Sequence, residues 1–187
     1  MSYGLRELVA AVLATWAVSG SAATPPTVAE ARQSLVGSWR GKLEYRDYQA
    51  NRWFGLPVKV EIKDGGDGVT LIRTADYDDG PATGIVRIIT VSMIATDGRE
   101  ETSATFRKGR AVELSTANTM LEPGSTTSDN WTMVETIVGS DDDRPATVRL
   151  TTTRTGSRLV TLKEVDFRDD AAVAWLVRNR TTLERSP

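Results

Sequence analysis

The chain of 187 residues contains no cysteine and no histidine. Without cysteine there is no disulfide, no Cys-His nucleophile and no lipid-bearing cysteine behind a leader segment. Without histidine there is no His-ligated haem, no His-containing zinc site and no Ser-His-Asp triad. No excess of one charge is present either. Lys and Arg number 23 against 25 Asp and Glu, a formal net charge of −2. With no basic block, nucleic-acid binding has no cluster of cations to displace counterions.

Long apolar runs are also missing. The longest, Leu8 to Val18, spans about 11 residues, against the ~20 that a membrane-crossing helix needs. Arg6 precedes it and Ser19-Gly20-Ser21-Ala22-Ala23 follows, with Ser21 and Ala23 placed for signal-peptidase cleavage. Residues 1–23 therefore read as a signal peptide, and the protein as exported, periplasmic or secreted. That segment carries one Arg and one Glu, so the net charge is unchanged without it. No transmembrane segment remains after cleavage, and residues 24–187 are about one domain long, enough for a single core.

What is present is periodicity. Thr27 and Glu30 fit a capping box, and Val28, Ala31 and Leu35 recur at helical spacing, which predicts a short helix ending near Gly37. From Trp39 the period becomes two. Trp39, Leu43 and Tyr45 alternate with Arg40, Lys42 and Glu44, and Val58, Val60 and Ile62 alternate with Lys59, Glu61 and Lys63. Further strands are expected over 69–77, 85–95, 102–107, 111–120, 131–138, 146–154, 157–167 and 174–183, separated by turn sequences such as Asp64-Gly65-Gly66-Asp67-Gly68 and Asp97-Gly98. The expectation is an all-β domain over 24–187: one antiparallel up-and-down barrel of about eight to ten strands behind a short helix. The Thr-rich strands beyond residue 100 read as β-propensity. Charges opposite the apolar face of the first two strands exclude an outer-membrane barrel, whose outward band is apolar.

The sequence Gly37-Ser38-Trp39 on the first strand, with Arg178 and Arg180 near the last, resembles the calycins, that is, lipocalins and their fatty-acid-binding and nitrobindin-like relatives. The resemblance implies that an arginine packs across the Trp39 indole and closes one barrel end, through Gly37, Trp39, Arg178 and Arg180. Scattered positions from Trp39 to Pro81 are also similar to exported bacterial proteins to which no activity is attached. Nitrobindin-like members hold haem through a histidine, so with none here that cofactor is not implied, and no other cofactor or metal is expected.

Several residues carry alternative readings. Asp47 and Tyr45 face inward if Trp39 does, and would orient a ligand head group at a barrel mouth; Asp47 is equally suited to capping a turn. Trp53-Phe54 reads as a lid or a partner patch in a loop, or as packing under the rim. Tyr77-Asp78-Asp79-Gly80 reads as a turn, with a mouth loop or metal-binding carboxylates as the alternatives, and Asp141-Asp142-Asp143 as a solvated hairpin tip. Trp131 and Trp175 read as core. For acid–base chemistry, Asp47 with Glu135 is the pair to test.

The function expected from these residues is a barrel enclosing a small, partly apolar or amphipathic ligand, lined by Trp39, Leu43, Tyr45, Asp47, Val58, Val60 and Ile62. The alternatives are a solid barrel that binds or inhibits a protein through Trp53 and Phe54, and a cofactor-independent enzyme that uses carboxylates.

Overall fold

The structure is a computed structural model that describes residues 24–169 and 173–187. The expected signal peptide lies outside the described residues. Helix α1 (Val28–Gln33) is followed by strands β1 (Gly37–Asp47), β2 (Arg52–Asp64) and β3 (Thr70–Asp78). A one-turn helix α2 (Gly80–Thr83) then leads into β4 (Ile85–Ile94), β5 (Glu100–Arg107) and β6 (Glu113–Leu121). The chain closes with β7 (Asn130–Asp141), β8 (Arg144–Thr155), β9 (Arg158–Phe167) and β10 (Leu176–Arg185).

The ten strands form one closed antiparallel barrel in which each strand pairs with its sequence neighbours and β1 pairs with β10. Closure follows from patterning. Alternation along β1 sends Trp39 and Leu43 inward, and the register places Trp39 beside Val60 and Gly37 beside Ile62. The inward apolar side chains of β2 therefore continue those of β1 around the cylinder. Asp142 and Asp143, with φ of 55° and 59°, form the two-residue turn between β7 and β8, the hairpin tip expected there. Pro81 begins the single turn of α2 where a plain turn was expected.

The capping box of α1 is formed: the Glu30 backbone N–H donates to Thr27 Oγ1 at 3.2 Å and the Thr27 N–H donates to Glu30 Oε2 at 2.7 Å. The helix lies across one end of the barrel over a core of Trp39, Val58, Val60, Ile62, Leu71, Trp131 and Leu183. Trp39 is 1 % exposed, and its indole N–H donates to the Leu35 carbonyl at 2.8 Å.

The cations over that indole are not the expected ones. Arg185 stands 5.1 Å and Arg154 5.6 Å from the Trp39 ring, and both donate to the carbonyl of Ser34 at the end of α1. Arg178 instead pairs with Asp141 at 3.0 Å, and Arg180 with Glu44 at 2.8 Å. The reason is register. Trp39 is level with Arg185, whereas Arg180 is level with Glu44, halfway along the barrel and on the outward-facing parity. Trp175 is likewise not core. It is half-buried before β10, with the Arg149 guanidinium 4.1 Å from its ring, whereas Trp131 is 2 % exposed.

Candidate functional site

The barrel is hollow. An interior cavity of about 390 Å³ lies beneath the closed end, and a second of about 280 Å³ opens at the other end. Thr181 lines both, so they adjoin along the barrel.

Three of the expected lining residues meet these spaces. Leu43 and Tyr45 line the mouth cavity together with Tyr77, Asp79 and Arg107, and Ile62 lines the interior one. Trp39, Val58 and Val60 are buried in the core instead. Burial first, then the nearby Tyr77 and Asp79, pushes the Tyr45 pKa up, so its hydroxyl remains a donor.

Asp47 does not point inward as a handle. Its Oδ1 accepts from the backbone N–H groups of Gln49 at 3.0 Å and Ala50 at 2.9 Å, which makes it the cap of the β1–β2 turn. Trp53 and Phe54 lie within β2, not in a loop. Trp53 is flanked on the outer face by Arg180 at 4.8 Å and Arg46 at 5.6 Å. Phe54 is 52 % exposed on the mouth rim and stacks on Tyr45 at 5.5 Å.

The chemistry inside the barrel comes from residues that the pattern did not single out. Arg32 reaches down from α1, is 4 % exposed, and pairs with Glu101 of β5. Its other terminal nitrogen donates to Ser92 Oγ at 3.1 Å. Glu101 in turn shares a hydrogen bond with Glu135 of β7. Glu135 is half-buried and lines the interior cavity. Burial, then the charge of Glu101 and the hydrogen bond with it, pushes the Glu135 carboxyl up to about 8, with Arg32 opposing in part. At neutral pH Glu135 is therefore an acid that donates to the Glu101 carboxylate. Asp47 sits at the opposite end, so the expected Asp47–Glu135 pair does not form. Glu101 and Glu135 share a hydrogen bond, whereas two carboxylates that flank a glycosidic bond stand roughly 5–9 Å apart.

The walls of the interior cavity differ in character. On one side β4, β5 and β6 present Thr90, Ser92, Ser103, Thr105 and Ser115. Thr90 and Thr105 hydroxyls are 3.2 Å apart, and those of Ser103 and Ser115 are 2.8 Å apart. Opposite, Ile62, Leu150, Leu159 and Leu183 form a largely apolar wall, with Thr161 and Thr181 among them. Arg73 of β3 stands beside the hydroxyl wall, level with Thr90, and among the described residues it makes no ion pair or hydrogen bond. Arg32 and Glu101 pair with each other, whereas Arg73 has no carboxylate paired to it among the described residues.

Sequence reasoning passed over Glu101, Arg32 and Arg73. The signal for Glu101 was present, because Glu100 to Arg107 offers no apolar face at either parity apart from Ala104 and Phe106. An inward face of Glu101, Ser103 and Thr105 is what a polar lumen looks like in one strand.

These features define a closed antiparallel barrel with a polar, carboxylate-bearing interior. No protein-family model matches the chain, and no curated protein matches it. Among solved structures it is similar to the crystal structure of Rv2717c from M. tuberculosis, with a TM-score of 0.59 and 13 % identity. The match covers 88 % of this chain and 100 % of that one, and at this identity it speaks for the fold alone.

Proposed function

We propose that this exported barrel binds a small amphipathic organic anion in its interior, and that it is calycin-like. The observation that carries the reading is the two-sided cavity: a largely apolar wall faces a hydroxyl wall that bears Arg73. An anionic head group would pair with Arg73, and the hydroxyls would donate hydrogen bonds to it. The apolar portion would lie against Leu150, Leu159 and Leu183. Arg185 and Arg154 over Trp39 supply the closure that the calycin resemblance implies, from other residues of the chain.

Fluorescence titration with the anionic probe 8-anilinonaphthalene-1-sulfonate, beside the uncharged N-phenyl-1-naphthylamine, tests the reading. Both probes bind the wild type, and Arg73→Gln weakens the anionic probe by about tenfold while sparing the neutral one. Binding of neither probe, or equal affinity of wild type and R73Q for the anionic one, overturns it.

A second reading, a module that docks a protein partner at Trp53 and Phe54, has the exposed Phe54 ring behind it. Trp53 is already engaged by two guanidinium groups, which leaves Phe54, stacked on Tyr45 yet half exposed, as the accessible ring.

A further inference from the structure

The β1–β10 ladder stops after seven rungs along the ten residues of β10, and β6 and β7 share the fewest, five rungs along the nine residues of β6. Their register runs from Leu121↔Met133 to Ala117↔Ile137 and stops. Continued by one rung at a time it would join Thr116 to Val138, Ser115 to Gly139 and Leu114 to Ser140. None of these pairs forms. Neither strand frays there, because each remains held on its other side. Glu113, Leu114 and Ser115 pair with Thr105, Ala104 and Ser103 of β5, while Gly139 and Ser140 pair with Ala146 and Pro145 of β8. Two ordered strand edges therefore face each other with their hydrogen-bonding groups unjoined, inside a closed barrel.

The parted edges open into the barrel. A cavity of about 600 Å³ sits in the gap, bordered by the outward-pointing Leu114 and Val138, which are 77 % and 63 % exposed. Thr105, Ser115, Ile137 and Leu150 line both this cavity and the interior one. Gly139 borders the gap, a Cβ there would meet nothing within 4 Å, and its backbone is in a conformation open to any residue. The apolar border and the inward hydroxyls reproduce at the gap the two-sided character of the interior.

We infer that the unpaired stretch of the β6–β7 seam is the side entrance through which small solutes reach the barrel interior. The inference rests on the hollow interior and stands whether or not the natural occupant is an anion. It predicts that filling the gap slows access to the lumen, while narrowing the mouth at Asn179 does not.

The absence of native cysteine gives a direct measurement. Ser103→Cys places a single thiol on the interior wall, and its modification by 2-sulfonatoethyl methanethiosulfonate is followed by mass. With S103C as background, Gly139→Phe slows modification at least tenfold, Gly139→Ala leaves it unchanged, and Asn179→Phe leaves it unchanged. Ser115→Phe narrows the same gap from β6 and slows modification in the same way, should G139F fail to melt cooperatively. A rate unaffected by either gap-filling variant, or slowed as much by N179F, overturns the inference. Acceleration of S103C modification by 1 M urea also overturns it, because that marks access through unfolding. The uncharged methyl methanethiosulfonate is slowed by G139F in the same way, so the entrance is tested apart from any anion held at Arg73.

Discussion

Arg185 places its guanidinium 5.1 Å from the Trp39 ring and donates to the carbonyl groups of Ser34 and Val36. One side chain of the last strand thus covers the indole of the first and ties down the segment after α1. Gly37 makes room for it. Its φ is +136°, and a Cβ there would lie 2.7 Å from Arg185 Nη2. Gly37→Ala therefore strains the backbone and displaces the guanidinium together, with an expected loss of about 1–3 kcal/mol. Urea unfolding checks it, with a lower midpoint and an unchanged slope.

Glu135 makes stability depend on pH in a stated direction. Its folded pKa, about 8, lies above the ordinary 4.5, so the folded state holds a proton that the unfolded state has released between those values. Its contribution is intact below pH 4.5, declines through the window and is fully lost above about 8. Within the window the slope approaches roughly 1.4 kcal/mol per pH unit. Glu135→Gln keeps a donor toward Glu101 and flattens that slope. Urea midpoints at pH 5, 7 and 9 measure it, and parallel curves for wild type and E135Q would contradict the shared-proton assignment.

Arg32 and Glu101 form a buried pair in which each partner answers the other's charge. Arg32→Met leaves the Glu101 carboxylate buried without its cation and costs about 3–5 kcal/mol. The double variant R32M/E101Q recovers most of that loss. A double-mutant cycle by urea unfolding reads the coupling, and additive losses would show that the pair does not interact.

Asp47 caps a turn. Asp47→Ala removes acceptors for two backbone N–H groups in the exposed β1–β2 connection and costs about 0.5–1.5 kcal/mol. Its effect on binding of 8-anilinonaphthalene-1-sulfonate is nil. A tenfold weaker affinity in this variant would return Asp47 to the ligand site.

The strands were legible because a half-buried strand writes its burial in every second residue. Val58, Val60 and Ile62 between three charged residues leave no other arrangement, and the capping box of Thr27 and Glu30 announced α1 in the same local terms. The closing arginine was not legible, because which cation reaches Trp39 depends on the β1–β10 register, and Arg178, Arg180 and Arg185 all lie on one short segment. The interior cluster was hidden for a related reason. Arg32, Glu101 and Glu135 come from a helix and two strands far apart in sequence, and only barrel closure brings them together. Asp47 misled because strand alternation continued one residue past the point where turn chemistry takes over.

The β1–β10 ladder, from Trp39↔Arg185 to Tyr45↔Asn179, joins opposite ends of the polypeptide. Every other ladder is a local hairpin that a growing chain completes as it emerges. The cylinder itself exists only after the last strand has been synthesised, and until then β1 offers a bare edge and an uncovered indole. Assembly is consequently gated by the most non-local contact in the molecule, which makes the final step slow relative to the hairpins that precede it. Shortening the chain by a few residues from Arg185 backward removes the clasp while leaving nine strands able to pair.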